Sequence, residues 1–197
     1  MKTKRNSAGQ ETEGLDWNTA IGLTLRLRQD DLVKDYLMLT LGIYTGLRIS
    51  DLLNLKWEQL IDKDEVTIRE KKTGKLRRIT VNPKVKEALG YGRDQLQAKE
   101  KYRPDKYILE SKYGSPPTVS YVNKRLKLLF TRYNVKARKA SSHTLRKTFA
   151  LRLWSADQRS EKSLIYLSEL FGHSSVSITR RYIGLQNEVF SDMYLSL

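Results

Sequence analysis

The residues best suited to chemistry lie in four short strings of the sequence. The strings are TGLRISDLL (45–53), EKKTGKLRR (70–78), HTLRKTFA (143–150) and LFGHSSVSITRRY (170–182). They supply arginine, lysine and histidine, which bind anionic oxygens and transfer protons, and a tyrosine, which is a potential nucleophile. Together these residue types suit a reaction at a phosphate group.

The third string places a histidine and an arginine on one side of a predicted helix. His143 and Arg146 are three residues apart, and side chains with that spacing are neighbours on a helix surface. The guanidinium can hold two non-bridging phosphate oxygens, while the imidazole can donate a third hydrogen bond or shuttle a proton. Taken alone, the pair is also typical of a capped helix that carries a solvated arginine.

The first string contains a second candidate anion site. Arg48 follows a break at Gly46 and directly precedes a predicted helix, whose N-terminal amides and dipole favour a phosphate. Asp51 lies three residues further on and could orient an arginine or a histidine. The alternative is a surface Arg48 that pairs with Asp51.

The second string is predicted to be the tip of a basic hairpin. A lysine on such a hairpin could reach into the site and protonate a leaving oxygen, because nearby cations lower its pKa. We assign this role to Lys72, and Lys71 and Lys75 stay alternatives. The other interpretation is a charged turn that only contacts a DNA backbone.

The fourth string contains the candidate nucleophile. Tyr182 follows His173 by nine residues, with Arg180 and Arg181 directly before it. A tyrosine has a pKa of about 10, so at neutral pH it needs a cationic site or a base to become a nucleophile. The chain has eleven tyrosines, and most tyrosines pack in a core or at its rim. Tyr182 is therefore a candidate only in combination with the other strings.

The composition indicates a basic protein with one domain. Of its 197 residues, 39% are hydrophobic. The chain has 37 Lys and Arg residues and 22 Asp and Glu residues, which gives a formal charge of +15. That charge favours a polyanionic partner over a membrane, although a basic protein of the ribosomal kind would share it.

With no cysteine and two histidines, we expect no disulfide, no metal site and no cofactor. No apolar run suits a signal peptide or spanning helix, so we expect a cytoplasmic protein.

The apolar periodicity predicts an α+β fold that is mainly helical, with a small three-stranded antiparallel sheet. Residues 1–14 are polar and predict a flexible leader, followed by the domain at 15–197. Helices are predicted up to Gly46, which caps the second of them, and again over the C-terminal part. Strands are predicted within 57–82, from WEQLI, EVTIRE and LRRITV. The segment 186–197 has helical spacing and is predicted either to fold back or to dock on a neighbouring protomer.

In combination, the four strings resemble the catalytic domain of the tyrosine recombinases, the family of phage integrases and site-specific invertases. TGLRISDLL is similar to the family's first arginine box, and KTG is similar to its hairpin lysine. HTLR is similar to the His-x-x-Arg box, and FGHSSVSITRRY to the Gly-His box that runs to the nucleophile. The resemblance extends from about Leu15 to the C-terminus, with Phe171 where many members have leucine.

The resemblance implies a site-specific recombinase that needs neither ATP nor a metal. Arg48 and Arg146 would clamp the scissile phosphate. Tyr182 would attack it, giving a 3′-phosphotyrosyl intermediate, and Lys72 would protonate the departing 5′ oxygen. The partner would be double-stranded DNA, bound by four protomers on two duplexes, while the chain without DNA could be a monomer.

The resemblance also assigns supporting roles. His143 would act in proton transfer, His173 would hydrogen-bond the phosphate, and Asp51 would support the site. The cations expected to contact DNA are Lys71, Lys75, Arg77, Arg180 and Arg181.

Three points stay open at the level of sequence. Most family members carry a separate N-terminal DNA-binding domain, so the chain is either a short stand-alone recombinase or the catalytic part of a longer integrase. A relaxase similar to type IB topoisomerases would share the nucleophile and the arginines. A DNA-binding accessory protein could have kept the fold and lost the reaction.

Overall fold

The computed structural model describes residues 12–185 and 194–195, which form nine helices and two strands. The helices are α1 (Trp17–Gln29), α2 (Val33–Thr45), α3 (Ile49–Leu52), α4 (Trp57–Leu60), α5 (Pro83–Gln97), α6 (Val119–Arg132), α7 (Ser142–Ala156), α8 (Glu161–Phe171) and α9 (Val176–Ile183). The strands are β1 (Glu65–Arg69) and β2 (Leu76–Thr80). The prediction of a mainly helical α+β fold is confirmed.

Helix α2 is the centre of the domain. It packs against α1, α5 and α7, and its residues from Asp35 to Ile43 are all buried. A helix that is apolar on nearly all sides must be enclosed by other elements. Its C-terminal end therefore lies inside the protein, where its last carbonyl groups need partners other than water.

Gly46 ends α2, as the sequence predicts. It adopts a left-handed conformation with φ of 57°, and its N–H donates to the carbonyl of Gly42. A Cβ atom at this position would lie 2.3 Å from the ring of Phe149 on α7. Glycine is thus required both by the backbone conformation and by the close approach of α7.

The sheet differs from the prediction in one strand. In the described part of the chain it has two antiparallel strands, in a register that pairs Glu65 with Thr80 and Ile68 with Arg77. The WEQLI segment, predicted as the third strand, is helix α4. Trp57 and Leu60 are each 1% exposed, and a spacing of three residues puts two side chains on one face of a helix but on opposite faces of a strand.

The core consists of two hydrophobic clusters that α7 joins. The larger cluster surrounds α2 and includes Leu145 near the start of α7. The smaller one lies between α7, α8 and α9 and includes Ala150 and Phe171. Arg146 lies between these clusters along α7, so its side chain is almost entirely enclosed by packed elements.

The two ends of the chain are only partly described. Thr12 and Glu13, at the end of the predicted leader, contact Ser141 and the backbone N–H of Arg138. Residues 1–11 lie outside the described residues, as does the predicted docking segment 186–197 apart from 194–195. No helix in the described part of the chain is long and apolar enough to cross a membrane.

We predict that Gly46→Ala lowers the free energy of unfolding by about 2–4 kcal/mol, the sum of left-handed backbone strain and overpacking against Phe149. Chemical denaturation of both proteins measures this difference. The matched control is Gly74→Ala, because Gly74 has φ of 70° but open space where its Cβ would lie. Equal losses for the two variants would show that the contact with Phe149 is unimportant.

Candidate active site

Two buried guanidinium groups bind the carbonyl oxygens at the end of α2. Arg146 Nη1 donates to the carbonyl of Gly46 at 2.7 Å. Arg77 donates through Nη2 to the carbonyl of Thr45 at 2.7 Å and through Nη1 to that of Gly46 at 3.3 Å. The last carbonyl groups of a helix lack partners within it, and the negative end of the helix dipole favours cations. The end of α2 therefore fixes both guanidinium groups.

Arg48 joins the hairpin to the end of α8. Its Nη1 lies 2.5 Å from a carboxylate oxygen of Glu70, and its Nη2 donates to the carbonyl of Phe171 at 2.9 Å. The side chain is 21% exposed, whereas Glu70 is almost fully buried. The alternative in which Arg48 pairs with Asp51 at the surface is thus wrong, because Glu70 is the partner.

Asp51 supports the hairpin rather than an arginine or a histidine. The residue is buried, and its Oδ1 accepts a hydrogen bond of 2.9 Å from the backbone N–H of Lys71. This contact joins the start of α3 to the turn that carries Lys72. The expectation that Asp51 orients an arginine or a histidine is corrected accordingly.

The predicted histidines and tyrosine come together beside Arg146. The ring centroid of Tyr182 lies 5.4 Å from that of His173 and 6.4 Å from that of His143. Phe171 packs edge-on against Tyr182 at 5.7 Å, and the guanidinium of Arg146 lies 3.9 Å from the Phe171 ring centroid. The third and fourth strings of the sequence therefore meet at one place.

The hydroxyl group of Tyr182 is enclosed by protein. It makes no hydrogen bond of normal geometry to any residue that the structure describes, although the guanidinium of Arg146 lies near enough to interact with it as a donor. Burial raises the pKa of Tyr182, while the positive charges of Arg146 and Arg48 act in the opposite direction. Burial lowers the pKa of Arg146 to about 10, because burial disfavours the charged form of either side chain. At neutral pH this guanidinium is still protonated. The phenol is held neutral next to two cations that would stabilise its anion.

Thr179 orients the ring of His173. The hydroxyl of this fully buried residue lies 2.8 Å from His173 Nδ1, which leaves Nε2 as the nitrogen that can face a ligand. The left-handed Gly172 ends α8 directly before His173, whose N–H donates to the carbonyl of Ser168. The Gly-His pair thus ends the helix and directs the imidazole toward Tyr182.

Lys72 and Lys147 act on His143 through their charges. Partial burial of the His143 ring lowers its pKa, and the cations Lys147, Arg146 and Lys72 lower it further. The hairpin turn therefore brings the exposed Lys72 close enough to His143 for its charge to lower the pKa of that ring. Lys147 is buried, and its Nζ lies 4.9 Å from the ring centroid of Tyr182.

The cations predicted to contact DNA have different positions. Lys71, Lys75 and Arg181 are exposed, and Arg180 forms an ion pair with Glu161 on α8. Arg77 is only 8% exposed and donates to the carbonyls of Thr45 and Gly46, and its contact with DNA stays a prediction. Side chains alternate along a strand, and Arg77 is on the inward face of β2 between the exposed Leu76 and Arg78.

Sequence reasoning missed three residues of the site, namely Glu70, Lys147 and Thr179. Glu70 is the single acid in the basic string EKKTGKLRR, and that exception was a usable signal. Lys147 and Thr179 gave none, because their roles depend on contacts with other segments. Over the described residues, no group of three or more His, Asp and Glu side chains forms a metal site.

The sequence model described as the phage integrase family matches residues 23–188. The chain belongs to this family. It is 30% identical over 162 residues to the probable integrase/recombinase YoeC of Bacillus subtilis, with 82% of this chain and 83% of that protein covered. It is 26% identical over 161 residues to the tyrosine recombinase XerH of Campylobacter jejuni. That match covers 81% of this chain but only 44% of XerH, so the chain spans less than half of that relative.

Solved structures of two recombinases share the fold. The XerA recombinase matches with a TM-score of 0.70 at 22% identity, covering 94% of this chain and 65% of XerA. A solved XerH site-specific recombinase bound to palindromic difH substrate matches with a TM-score of 0.69 at 20% identity, covering 92% of this chain and 52% of that one. The predicted family and fold are therefore confirmed.

We predict that both histidines of this phage integrase family member titrate below about pH 6.5, the ordinary value for the side chain. The cause is burial, assisted by the charges of Lys147, Arg146 and Lys72 at His143 and of Arg146 and Arg48 at His173. The chain has two histidines, so NMR titration of their ring protons, assigned with His173→Asn, measures both values. A midpoint above 6.5 for either ring contradicts the electrostatic description.

The lowered pKa values of the two histidines also determine how the free energy of unfolding changes with pH. The unfolded chain binds a proton on each histidine more tightly than the folded chain does. The contribution of the histidines to the free energy of unfolding is therefore complete above about pH 6.5, and it is lost as the pH falls through the lowered pKa of the folded state. Urea unfolding between pH 7 and pH 5 should show this loss, and it should be smaller for His173→Asn.

Proposed function

We propose that the chain is a site-specific DNA recombinase that cleaves and rejoins DNA strands through a covalent bond to Tyr182. The observation that carries this proposal is that two arginines and two histidines from separate segments converge on one buried tyrosine. Membership of the phage integrase family and the formal charge of +15 support it.

In the proposed reaction, Arg48 and Arg146 bind the non-bridging oxygens of the scissile phosphate. A guanidinium offers two parallel N–H donors that fit a phosphate. Both groups are already held by protein carbonyls, so little reorganisation is needed when charge develops. Preorganised donors of this kind commonly contribute a factor of about 100 to 1000 in rate.

The proposed chemical step is an exchange of ester bonds. The Tyr182 oxygen attacks phosphorus, the bond from phosphorus to the 5′ oxygen breaks, and a 3′-phosphotyrosyl link forms. Lys72 gives its proton to the departing 5′ oxygen. The reverse attack by a 5′ hydroxyl of another strand rejoins the DNA. The phosphotyrosyl link retains the energy of the broken phosphodiester, so the step consumes no ATP.

The histidines take part in proton transfer and phosphate binding in this proposal. His143 has a lowered pKa, so at neutral pH it is a neutral imidazole that can accept the phenolic proton of Tyr182. His173, whose Nδ1 contacts Thr179, donates a hydrogen bond from Nε2 to the phosphate. Each ring thus uses the protonation state that its surroundings favour.

The proposed partner is double-stranded DNA. A XerH site-specific recombinase that shares the fold was solved bound to a palindromic difH substrate. Lys71 and Lys75 flank Lys72 in the hairpin turn and Arg181 directly precedes Tyr182, and all three are exposed and suit phosphate contacts. We further propose that residues 15–197 are the catalytic domain behind a leader at 1–14, and that four protomers act on two duplexes, with segment 186–197 docking on a neighbour.

We predict that the protein forms a covalent adduct with DNA in EDTA and that Tyr182→Phe forms none, because phenylalanine has no oxygen to attack phosphorus. Supercoiled DNA that carries the sequences flanking the protein's own gene is incubated with the protein. The reaction is then quenched with detergent and assayed for protein-linked DNA. Tyr166→Phe on α8 is the matched control and should behave like the wild type. DNA binding without any wild-type adduct would favour the accessory-protein alternative.

A second prediction concerns the leaving group. Lys72→Ala should slow cleavage by at least about 100-fold, the usual contribution of a general acid. With a DNA substrate whose bridging 5′ oxygen is replaced by sulfur, the variant should approach the wild-type rate, because a thiolate leaves without a proton.

Variants at the two neighbouring lysines test whether Lys72 is the right residue. Lys71→Ala and Lys75→Ala should show no selective rescue by the sulfur substrate, and neither should Lys63→Ala, an exposed control before β1. Rescue of Lys71→Ala or Lys75→Ala instead would reassign the general acid.

A further inference from the structure

The turn that carries Lys72 is fixed on both sides of that residue. The backbone N–H of Lys71 donates to Asp51 Oδ1 at 2.9 Å, and the hydroxyl of Thr73 donates to Glu70 Oε2 at 2.7 Å. Lys72 itself is exposed. The backbone from which its side chain extends is therefore held by two buried carboxylates, while the side chain stays free to reach a substrate.

Glu70 also binds the guanidinium of Arg48. The carboxylate oxygen that accepts from Thr73 lies 2.5 Å from Arg48 Nη1, and the other oxygen lies 3.9 Å from Arg77 Nη1. The backbone of Glu70 closes the turn, since its N–H donates to Lys75 and its carbonyl accepts from Gly74. One buried side chain thus contacts the turn and two arginines.

Glu70 is charged in this setting. Burial alone would raise its pKa, but hydrogen bonds from Thr73 and Arg48 and the charges of Arg48 and Arg77 more than offset that effect, so the pKa of Glu70 is lowered. A buried carboxylate without such partners would be strongly destabilised. The contacts with Thr73 and Arg48 therefore depend on the same negative charge.

We propose that Glu70 is a positioning residue of the recombination reaction, which fixes Arg48 directly and Lys72 through Thr73. The proposal rests on the proposed function, because it assumes that Arg48 binds the phosphate and that Lys72 protonates the leaving oxygen. Glu70 sets the distance between the phosphate-binding guanidinium and the turn that carries the proton donor. Neither group can shift without breaking a contact with this carboxylate.

The consequence of neutralising Glu70 follows from these contacts. In Glu70→Gln the side-chain shape and one carbonyl oxygen are retained, but Arg48 and Arg77 lose their shared counter-charge and repel each other. Arg48 would keep the carbonyl of Phe171 as a partner but would lose its ion pair. Because misplacement of a catalytic group by about 1 Å can cost about 100-fold in rate, we expect cleavage to slow by about that factor.

Thr73→Val isolates the link to Lys72. The substitution removes the hydroxyl, which donates to Glu70 and also accepts a hydrogen bond of 3.3 Å from the backbone N–H of Lys75 in the same turn. It leaves the contact between Glu70 and Arg48 intact. Loss of the shorter of these two hydrogen bonds, the one to Glu70, corresponds to about tenfold in rate. Since this defect acts through Lys72, the substrate with sulfur at the bridging 5′ position should restore Thr73→Val to the wild-type rate. The same substrate should restore Glu70→Gln only in part, because the role of Arg48 does not depend on the leaving group.

The experiment measures single-turnover cleavage of both substrates by the wild type, Tyr182→Phe, Glu70→Gln and Thr73→Val. Glu65→Gln and Thr67→Val are matched controls, because both residues are exposed on β1 of the same hairpin. DNA affinity and thermal unfolding are measured for every variant. The expected result is normal affinity for Thr73→Val and both controls, with the rate losses given above.

The outcomes separate this inference from the proposed function. If the wild type forms no adduct, the proposed function is wrong. If the wild type forms one and Glu70→Gln cleaves as fast as Glu65→Gln, Glu70 has no positioning role. If the sulfur substrate leaves the defect of Thr73→Val unchanged, the link to Lys72 is wrong. Thr73 is exposed, so its variant tests that link even if Glu70→Gln fails to fold.

Discussion

The need to satisfy two buried guanidinium groups governs the construction of the site. Arg146 and Arg77 are both enclosed by the fold, and a buried cation is tolerated only where polar partners replace water. The carbonyl groups of Thr45 and Gly46 are such partners because α2 ends inside the domain. The left-handed conformation of Gly46 ends the helix at that point. A single glycine therefore connects the packing of the core to the position of both arginines.

The rest of the site is assembled on this base through ion pairs and backbone contacts. Glu70 lies near Arg77 and pairs with Arg48, and Arg48 in turn donates to the carbonyl of Phe171 at the end of α8. The next two residues are Gly172 and His173, so the same contact locates the loop that leads to α9. The hairpin, α3 and α8 thus share one network, although the residues are far apart in sequence.

Local sequence signals predicted the elements of the site better than the contacts between those elements. The glycine at 46 marks the end of α2, and the spacing of His143 and Arg146 marks the start of α7, because both depend on neighbours in sequence. The pattern of WEQLI was too short to distinguish a strand from one helical turn. The burial of Arg77 was not predicted, because its partners, the carbonyls of α2 and Glu70, come from other segments. Glu70 was missed for the same reason, since only the folded chain shows what it contacts.

The three arginines of this network differ in how their charge is balanced. Arg48 and Arg77 share the carboxylate of Glu70, whereas Arg146 makes no ion pair with a described carboxylate and is bound by the carbonyl of Gly46. A desolvated cation with neutral partners exerts a strong field on any anion that reaches it. In the proposed reaction that anion is the phosphoryl group, whose negative charge increases as Tyr182 attacks. Arg146 should therefore stabilise the transition state more than the bound substrate, which is the condition for catalysis rather than mere binding.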